Sequence, residues 1–248
     1  MSARDLDRVQ ALARELWGEA PQRAGTLHVM AVAREGSALR VIRIGEASPK
    51  SARDFFSLEY ARARADAIVL SGSVVRDEPT LVYDLWEPAL HALRGEREPP
   101  LLVILTQSGE LPAEHPIWQS WARPLVYTGL DVALTLPPRV EIVRHHAPTP
   151  RTVLDYLRKE RGARTLSLEA GPSVVKPLYD PPCRIDELTL SIFEGALDPD
   201  ARGGRFLDED QLHERMELVH ESVFVEESGP WRFRRYLSRL RSIHAVFS

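Results

Sequence analysis

Short apolar runs alternate with amphipathic segments over the first two thirds of the chain. The run DAIVLSG at 66–72 is rich in apolar residues and shows no alternation with polar ones. This pattern is typical of a strand that is covered on both faces of its sheet. On the same grounds we predict strands at 26–33, 66–72, 101–106, 124–129, 140–146 and 165–169.

The segments between these runs carry apolar residues at helical spacing. One helix is predicted at 3–17, where Gly18 ends it. Another is predicted at 51–65, with Ser51 as its N-cap and Asp54 three residues further on, close to a capping box. Further helices are predicted from Thr149 and Pro150 to Gly162, and from Pro172 onward with a distortion at Pro177.

In the last third of the chain, the spacing of apolar residues changes to strict alternation. The segments 186–193, 216–226 and 231–237 alternate with period two, and SGP at 228–230 is typical of a hairpin turn. We therefore predict an α/β fold with a mostly parallel central sheet, helices on both faces and an antiparallel C-terminal edge. One domain is expected over 1–248, with residues 1–24 as an N-terminal helical extension that packs on the sheet or serves as a partner surface.

Composition and charge narrow the class of protein. Hydrophobic residues make up 44% of the chain, charged residues 27%, and the formal net charge is −4. This balance does not favour nucleic acid or an anionic membrane as partner. Cys183 is the only cysteine, which excludes an intramolecular disulfide and a cysteine-based metal cluster. We expect a cytoplasmic protein with no metal, no nucleic-acid partner and no membrane segment.

Two connections between a predicted strand and a predicted helix carry candidate chemistry. In RTLSLEAGPSVV (164–175), Gly171 permits close approach of a ligand to the backbone, and Pro172 suits the first helical position. The start of the helix could then seat a phosphate, and Glu169 could accept hydrogen bonds from a polar ligand. In SGSVVRDEPTL (71–81), Gly72 and Ser73 could contact a phosphate or ribose. Plain turns without a ligand would have the same composition.

Four blocks in a fixed order carry a family resemblance. They read RARADAIVLSGSVVRDEPTL, PPLLVILTQSGELP, LEAGPSVV and IDELTLSI, and FRRYL follows near the end. Over about residues 26–237 the chain resembles the reductase domain of the bifunctional riboflavin-biosynthesis deaminase–reductase, without a counterpart of its deaminase half. The resemblance implies a stand-alone member of a group with a dihydrofolate reductase-like fold, commonly a homodimer.

The resemblance also implies an activity and a set of site residues. Members use NADPH to reduce the ribosylamino group of a phosphorylated pyrimidine to a ribitylamino group, by hydride transfer to C1′. Glu35 is the nearest candidate for a catalytic proton donor, and water is the alternative. The residues implied at the substrate are Arg62, Leu81 and Glu169. Those implied at the cofactor are Ala31, Gly72, Ser73, Asp77, Thr106, Gly171, Pro172 and Ser173.

The chain departs from the family pattern mainly on the substrate side. The family has S-L-D-G at the end of the first strand, and the corresponding segment here is 33–36. This segment lacks the serine hydroxyl and has Glu35 in place of the family's aspartate. Asp84 stands where the family has an arginine for the substrate phosphate, and an aspartate cannot replace that group. Two alternatives therefore stay open: a non-catalytic nucleotide-binding or dimeric relative, and a reductase of another small heterocyclic or carbonyl compound.

Overall fold

The computed structural model describes residues 3–19 and 24–239, and all of its strands belong to one eleven-stranded sheet. The strands are β1 (Gly25–Glu35), β2 (Ala38–Ile42), β3 (Ala67–Ser71), β4 (Leu101–Leu105), β5 (Arg123–Gly129), β6 (Glu141–His145), β7 (Thr165–Leu168), β8 (Glu187–Phe193), β9 (Arg202–Arg205), β10 (Met216–Glu226) and β11 (Gly229–Ser238). The α-helices are α1 (Ala3–Trp17), α2 (Ala52–Arg64), α3 (Gly72–Asp77), α4 (Pro88–Arg94), α5 (Pro150–Lys159), α6 (Pro172–Tyr179) and α7 (Glu209–Arg215).

The sheet has a parallel centre and an antiparallel C-terminal edge. Its strand order is β10-β11-β8-β1-β7-β3-β4-β5-β6, and all neighbours from β8 to β6 run parallel. The two last strands, β10 and β11, pair antiparallel with each other, and β11 also pairs antiparallel with β8. The predicted fold class is confirmed by this topology.

Helices cover both faces because the central strands bury side chains on both sides. Val69 of β3 lies in a core cluster with residues of α5, α6 and α7, whereas Ile68 and Leu70 lie in a cluster on the opposite side. The second face also carries α1, α2 and α4, and there Trp17 of α1 stacks on Phe56 of α2. The N-terminal helix therefore packs on the sheet. None of the helices in the described ranges is both long and apolar enough to cross a membrane.

Local signals set the helix ends. The Ser51 hydroxyl accepts a hydrogen bond from the backbone N–H of Asp54 at 3.0 Å, which confirms it as the N-cap of α2. Thr149 caps α5 in a capping box, and Gly18 follows α1 at a φ of 78°. The helix α6 continues two residues past Pro177.

Two short strands were not predicted, and both lie beside the cleft described below. β2 forms an antiparallel hairpin with β1, and β9 pairs with β2. The sequence of β9, RGGR, contains no apolar side chain, so hydrophobic periodicity could not indicate it. Backbone pairing with β2 sets the place of β9. Glycine at position 203 permits this close pairing, because a Cβ there would lie 2.7 Å from the carbonyl oxygen of Val41.

Candidate active site

A cleft of about 1140 Å³ opens at the carboxyl ends of the parallel strands. Its volume is slightly above the range typical of small-molecule sites. The walls come from β1, β2 and the segment after it, α2, α3, the turn after β7, and β9. In open parallel sheets this edge is where ligands bind. Among residues 3–19 and 24–239, no group of three or more His, Cys, Asp or Glu side chains could hold a metal ion.

The turn between β7 and α6 is open toward the cleft. Gly171 lines it, and a Cβ built on that residue would meet no other atom within 4 Å. Gly171 is also the N-cap of α6, and no side chain caps the helix there. Pro172 and Ser173 form the first turn of α6 but do not line the cleft. The turn thus leaves space for a ligand next to a helix start, where amide groups and the helix dipole favour an anion.

The connection between β3 and α3 contributes a second wall. Ser73 and Asp77 both line the cleft, and the Ser73 hydroxyl lies 2.7 Å from that of Ser71. Gly72 and Thr106 lie behind this wall, since a Cβ at Gly72 would be 3.0 Å from Oγ1 of Thr106. Gly72 therefore allows the end of β4 to approach α3, whereas the resemblance implied direct cofactor contact.

Arg62 and Glu169 meet at the floor of the cleft, although they are 107 residues apart. Arg62 Nε donates to both carboxylate oxygens of Glu169 at 3.1 Å, and a terminal guanidinium nitrogen donates to Oε2 at 2.8 Å. Their side chains are only 7% and 5% exposed. The Arg62 guanidinium also lies 4.2 Å from the ring centroid of Tyr83, in cation–π geometry.

The electrostatics of this pair are those of a buried, satisfied ion pair. Burial by itself would lower the pKa of Arg62, but the facing Glu169 carboxylate raises it above its ordinary value. Burial, and then the negative charge of Glu169, raise the pKa of Tyr83 well above its ordinary value. Both members of the pair line the cleft together with Leu81, so the three residues implied at the substrate are brought together.

Glu35 is not brought to the cleft. It ends β1, pairs with Ala38 at the tip of the β1–β2 hairpin, and does not line the cleft. Arg40 Nε donates to Oε2 of Glu35 at 2.7 Å, and Arg202 Nε lies 3.3 Å from Oε1. Two guanidinium groups thus hold this carboxylate at the hairpin, where it is unsuited to supply a proton to a ligand in the cleft.

Asp84 also lies outside the cleft lining. Its carboxylate accepts a hydrogen bond from the backbone N–H of Leu85 at 3.0 Å. The aspartate that replaces the family arginine therefore serves the local backbone, and it places no negative charge on the cleft wall.

The cleft contains residues that the sequence analysis did not assign to it. Ile44 and Phe55 are 65% and 46% exposed there and present apolar surface to a ligand. Arg43 and Lys50 add positive charge from the segment between β2 and α2. The resemblance could not indicate this segment, because the first of the four blocks that carry it begins only at Arg62.

Asp54 is a further residue that the sequence analysis assigned only to helix capping. It lies in the first turn of α2 and lines the cleft. Burial raises its pKa from 3.8 to about 6; a hydrogen bond from Ser191 opposes this shift, and the charge of Glu226 adds to it. A buried carboxyl group with a perturbed pKa in a cleft is a signal of a functional site that only the structure supplies.

The family of the chain follows from its sequence. The sequence model of the RibD C-terminal domain family matches residues 41–220, well over half of the length. The chain therefore belongs to this family, and the resemblance on which the site predictions depend is confirmed. The match supports a reductase of the riboflavin-biosynthesis type as its class. No curated protein sequence matches the chain directly.

Solved structures share the fold at low sequence identity. A pyrimidine reductase-like protein from Corynebacterium diphtheriae aligns with a TM-score of 0.66 and 18% identity, over 92% of this chain and 98% of that one. The riboflavin biosynthesis reductase Rib7 of Saccharomyces cerevisiae aligns with a TM-score of 0.57 and 16% identity, over 93% and 99%. A Thermotoga maritima diaminohydroxyphosphoribosylaminopyrimidine deaminase/5-amino-6-(5-phosphoribosylamino)uracil reductase aligns with 0.64 and 19%, over 87% of this chain and 57% of that one. The fold is thus the dihydrofolate reductase-like fold of these reductases.

Proposed function

We propose that this protein is an NADPH-dependent reductase of the riboflavin-biosynthesis type. It would convert the ribosylamino group of 5-amino-6-(5-phosphoribosylamino)uracil to a ribitylamino group. The observation that carries this proposal is one continuous cleft that joins the open Gly171 turn to the Arg62–Glu169 pair. Membership of the RibD C-terminal domain family supports the same reaction class.

The residues on one side of the cleft fit a nicotinamide dinucleotide. The open turn at Gly171 and the uncapped start of α6 would bind its pyrophosphate, with Ser73 and Asp77 on the neighbouring wall. Ala31 on β1 lines the same cleft with a side chain small enough to admit a flat ring. When bound, the cofactor supplies the hydride, and the protein holds donor and acceptor in contact and excludes water.

Arg43 and Lys50 are suited to take the role that Asp84 cannot fill. The Lys50 ammonium donates to the Gly45 carbonyl oxygen and to the Ser48 hydroxyl, each at 2.7 Å. Within the described part of the chain, neither cation forms an ion pair with a carboxylate. We therefore assign the substrate phosphate to this segment, because two uncompensated cations on a cleft wall attract a dianion.

A titration of the purified protein with NADPH, followed by fluorescence, tests the cofactor. Binding at micromolar concentration is expected, and no binding below one millimolar would rule out both a reductase and an NADPH-binding relative. Addition of the phosphoribosylaminouracil should then bleach the absorbance of the reduced nicotinamide. Binding without oxidation would instead favour the non-catalytic relative or a different heterocyclic or carbonyl substrate.

The phosphate assignment has its own test within the same assay. In the double variant Arg43→Ala/Lys50→Ala, KM for the phosphorylated substrate should rise at least about ten-fold, which is about 1.4 kcal/mol of lost binding. KM for the dephosphorylated substrate should not change. Lys159→Ala, an exposed lysine on α5, is the matched control and should leave both values as they are. An equal loss with both substrates would show that these cations do not contact the phosphate.

A further inference from the structure

Asp54 reaches the part of the cleft where the nicotinamide is expected. The Ser191 side chain of β8 is close enough to the Asp54 carboxyl group to act on its pKa, and Ser191 is the register partner of Ala31 on the neighbouring strand β1. Adjacent strands lie about 4.8 Å apart, so one strand spacing separates the Asp54 partner from Ala31. Asp54 and Ala31 both line the cleft. The fold thus brings an acid near Ala31, where we propose that the flat ring of the cofactor binds.

Asp54 shares the cleft with apolar side chains and is acted on by one nearby negative charge. Phe55, Leu58 and Trp231 line the same cleft. Glu226 of β10 is the charged group that acts on Asp54 from the neighbouring strand pair. Glu226 is itself held at the start of α2, where its carboxylate accepts from the backbone N–H of Ala52 at 3.0 Å and from Arg53 at 3.3 Å.

We propose that the Asp54 carboxylic acid is the proton donor of the reduction, an inference that rests on the proposed function and names the acid it requires. In the reaction, C1′ of the open-chain imine accepts a hydride from the reduced nicotinamide, and the C=N electron pair moves onto nitrogen. That nitrogen then takes the proton of Asp54. One hydride and one proton together give the saturated amine, and the Asp54 carboxylate regains its proton from water after product release.

Three other acids, in or near the cleft, are less suited to this step. Both carboxylate oxygens of Glu169 already accept hydrogen bonds from Arg62. Glu35 lies outside the cleft between Arg40 and Arg202. Burial raises the pKa of Glu78, which directly follows α3, but the nearby Arg62 opposes the shift. By contrast, the pKa of Asp54 at about 6 keeps its protonated form present near neutral pH.

The pH dependence of kcat distinguishes a proton donor from a structural carboxylate. Since the protonated form is the active one, kcat should fall as pH rises through the pKa of Asp54, at saturating NADPH and substrate. In Asp54→Asn, kcat should be at least about 100-fold lower and this pH dependence should be absent. Asp131→Asn, an exposed aspartate beyond β5, should behave as wild type.

Substitution of two residues that act on Asp54 should shift the pH profile of kcat in opposite directions. Ser191→Ala removes a hydrogen bond that lowers the pKa of Asp54, so the fall in kcat should shift to higher pH. Glu226→Gln removes a negative charge that raises this pKa, so the fall should shift to lower pH. A purely structural role for Asp54 would produce neither shift.

A readout that does not depend on turnover completes the test. Infrared difference spectra between pH 5 and pH 8 should show the carbonyl band of a protonated carboxyl group that disappears in Asp54→Asn. Persistence of that band in the variant, or unchanged kcat and pH profile, would overturn the donor role. An inactive wild-type protein that binds NADPH would instead refute the proposed substrate, and the donor role with it.

Discussion

Arg62 and Glu169 show how one buried pair can serve both packing and chemistry. Each charge loses nearly all of its hydration, and the loss is offset by three hydrogen bonds between them and by the contact of Arg62 with Tyr83. Both groups remain on the floor of the cleft. A ligand that replaces one of these contacts would meet a carboxylate whose position is already fixed.

Removal of one partner should cost much more stability than removal of both charges. Arg62→Ala leaves the Glu169 carboxylate buried and unpaired, and we expect the free energy of unfolding to fall by about 3–5 kcal/mol. The double variant Arg62→Met/Glu169→Gln should recover most of this loss, since the introduced amide keeps an acceptor for Ser167. Urea unfolding of the wild-type protein and the two variants measures both effects. Equal stability of the two variants would show that the pair does not behave as a coupled unit.

At this scale the sequence predicted several residues that the structure brings to the cleft, but not their contacts. The family resemblance assigned Arg62 and Glu169 to the substrate, yet their mutual pairing was not predicted, because they are 107 residues apart. Asp54 was not predicted to line the cleft, because its position three residues after Ser51 already has a local explanation in helix capping. Glu35 was selected by its place in a motif, and the hairpin then directs it toward Arg40 and Arg202.

The turn between β7 and α6 is the element that most directly couples sequence to binding. Small residues at this strand end leave open space beside Gly171, and they do so where the carboxyl ends of β1, β7 and β3 meet. The helix that follows is short, but its first turn is free of side-chain caps. This geometry predicts that bulk at position 171 interferes with a ligand and not with the protein.

Gly171→Val should therefore abolish cofactor binding while the protein stays folded. The added side chain would meet no protein atom at its Cβ, so we expect the free energy of unfolding to change by no more than about 1 kcal/mol. The dissociation constant for NADPH should rise from the micromolar range to above about 1 mM, with a smaller rise for Gly171→Ala. Fluorescence titration measures the affinity and thermal unfolding measures the stability. Unaltered affinity in Gly171→Val would show that the turn does not hold the pyrophosphate.

The whole molecule exposes an apolar edge at its antiparallel end. The outermost strand β10 carries Val219, Val223 and Val225 at 41%, 53% and 82% exposure. Exposed, apolar edge strands pair with other chains unless they are covered. This edge is where we expect the homodimer that the family resemblance implies.

Charge on that edge should dissociate the dimer. Sedimentation of the wild-type protein should give a dimer, and Val223→Asp/Val225→Asp should give a folded monomer, because both side chains are already exposed. Ile142→Asp places the same charge on β6, at the other end of the sheet, and should leave the dimer intact. Dissociation by Ile142→Asp alone would place the interface at β6, and a monomeric wild-type protein would show that the dimer prediction is wrong.

The sequence by itself determined the succession of strands and helices, the parallel centre with its antiparallel edge, and the open turn at Gly171. These features depend on local periodicity and on small residues at defined positions, which act within a few residues. Only the tertiary structure decided that β9 completes the cleft, that Asp54 reaches Ser191 beside Ala31, and that Asp84 lies outside. Such arrangements depend on residues that are far apart in sequence. No local pattern in the sequence indicates them, because they form only when the whole sheet packs.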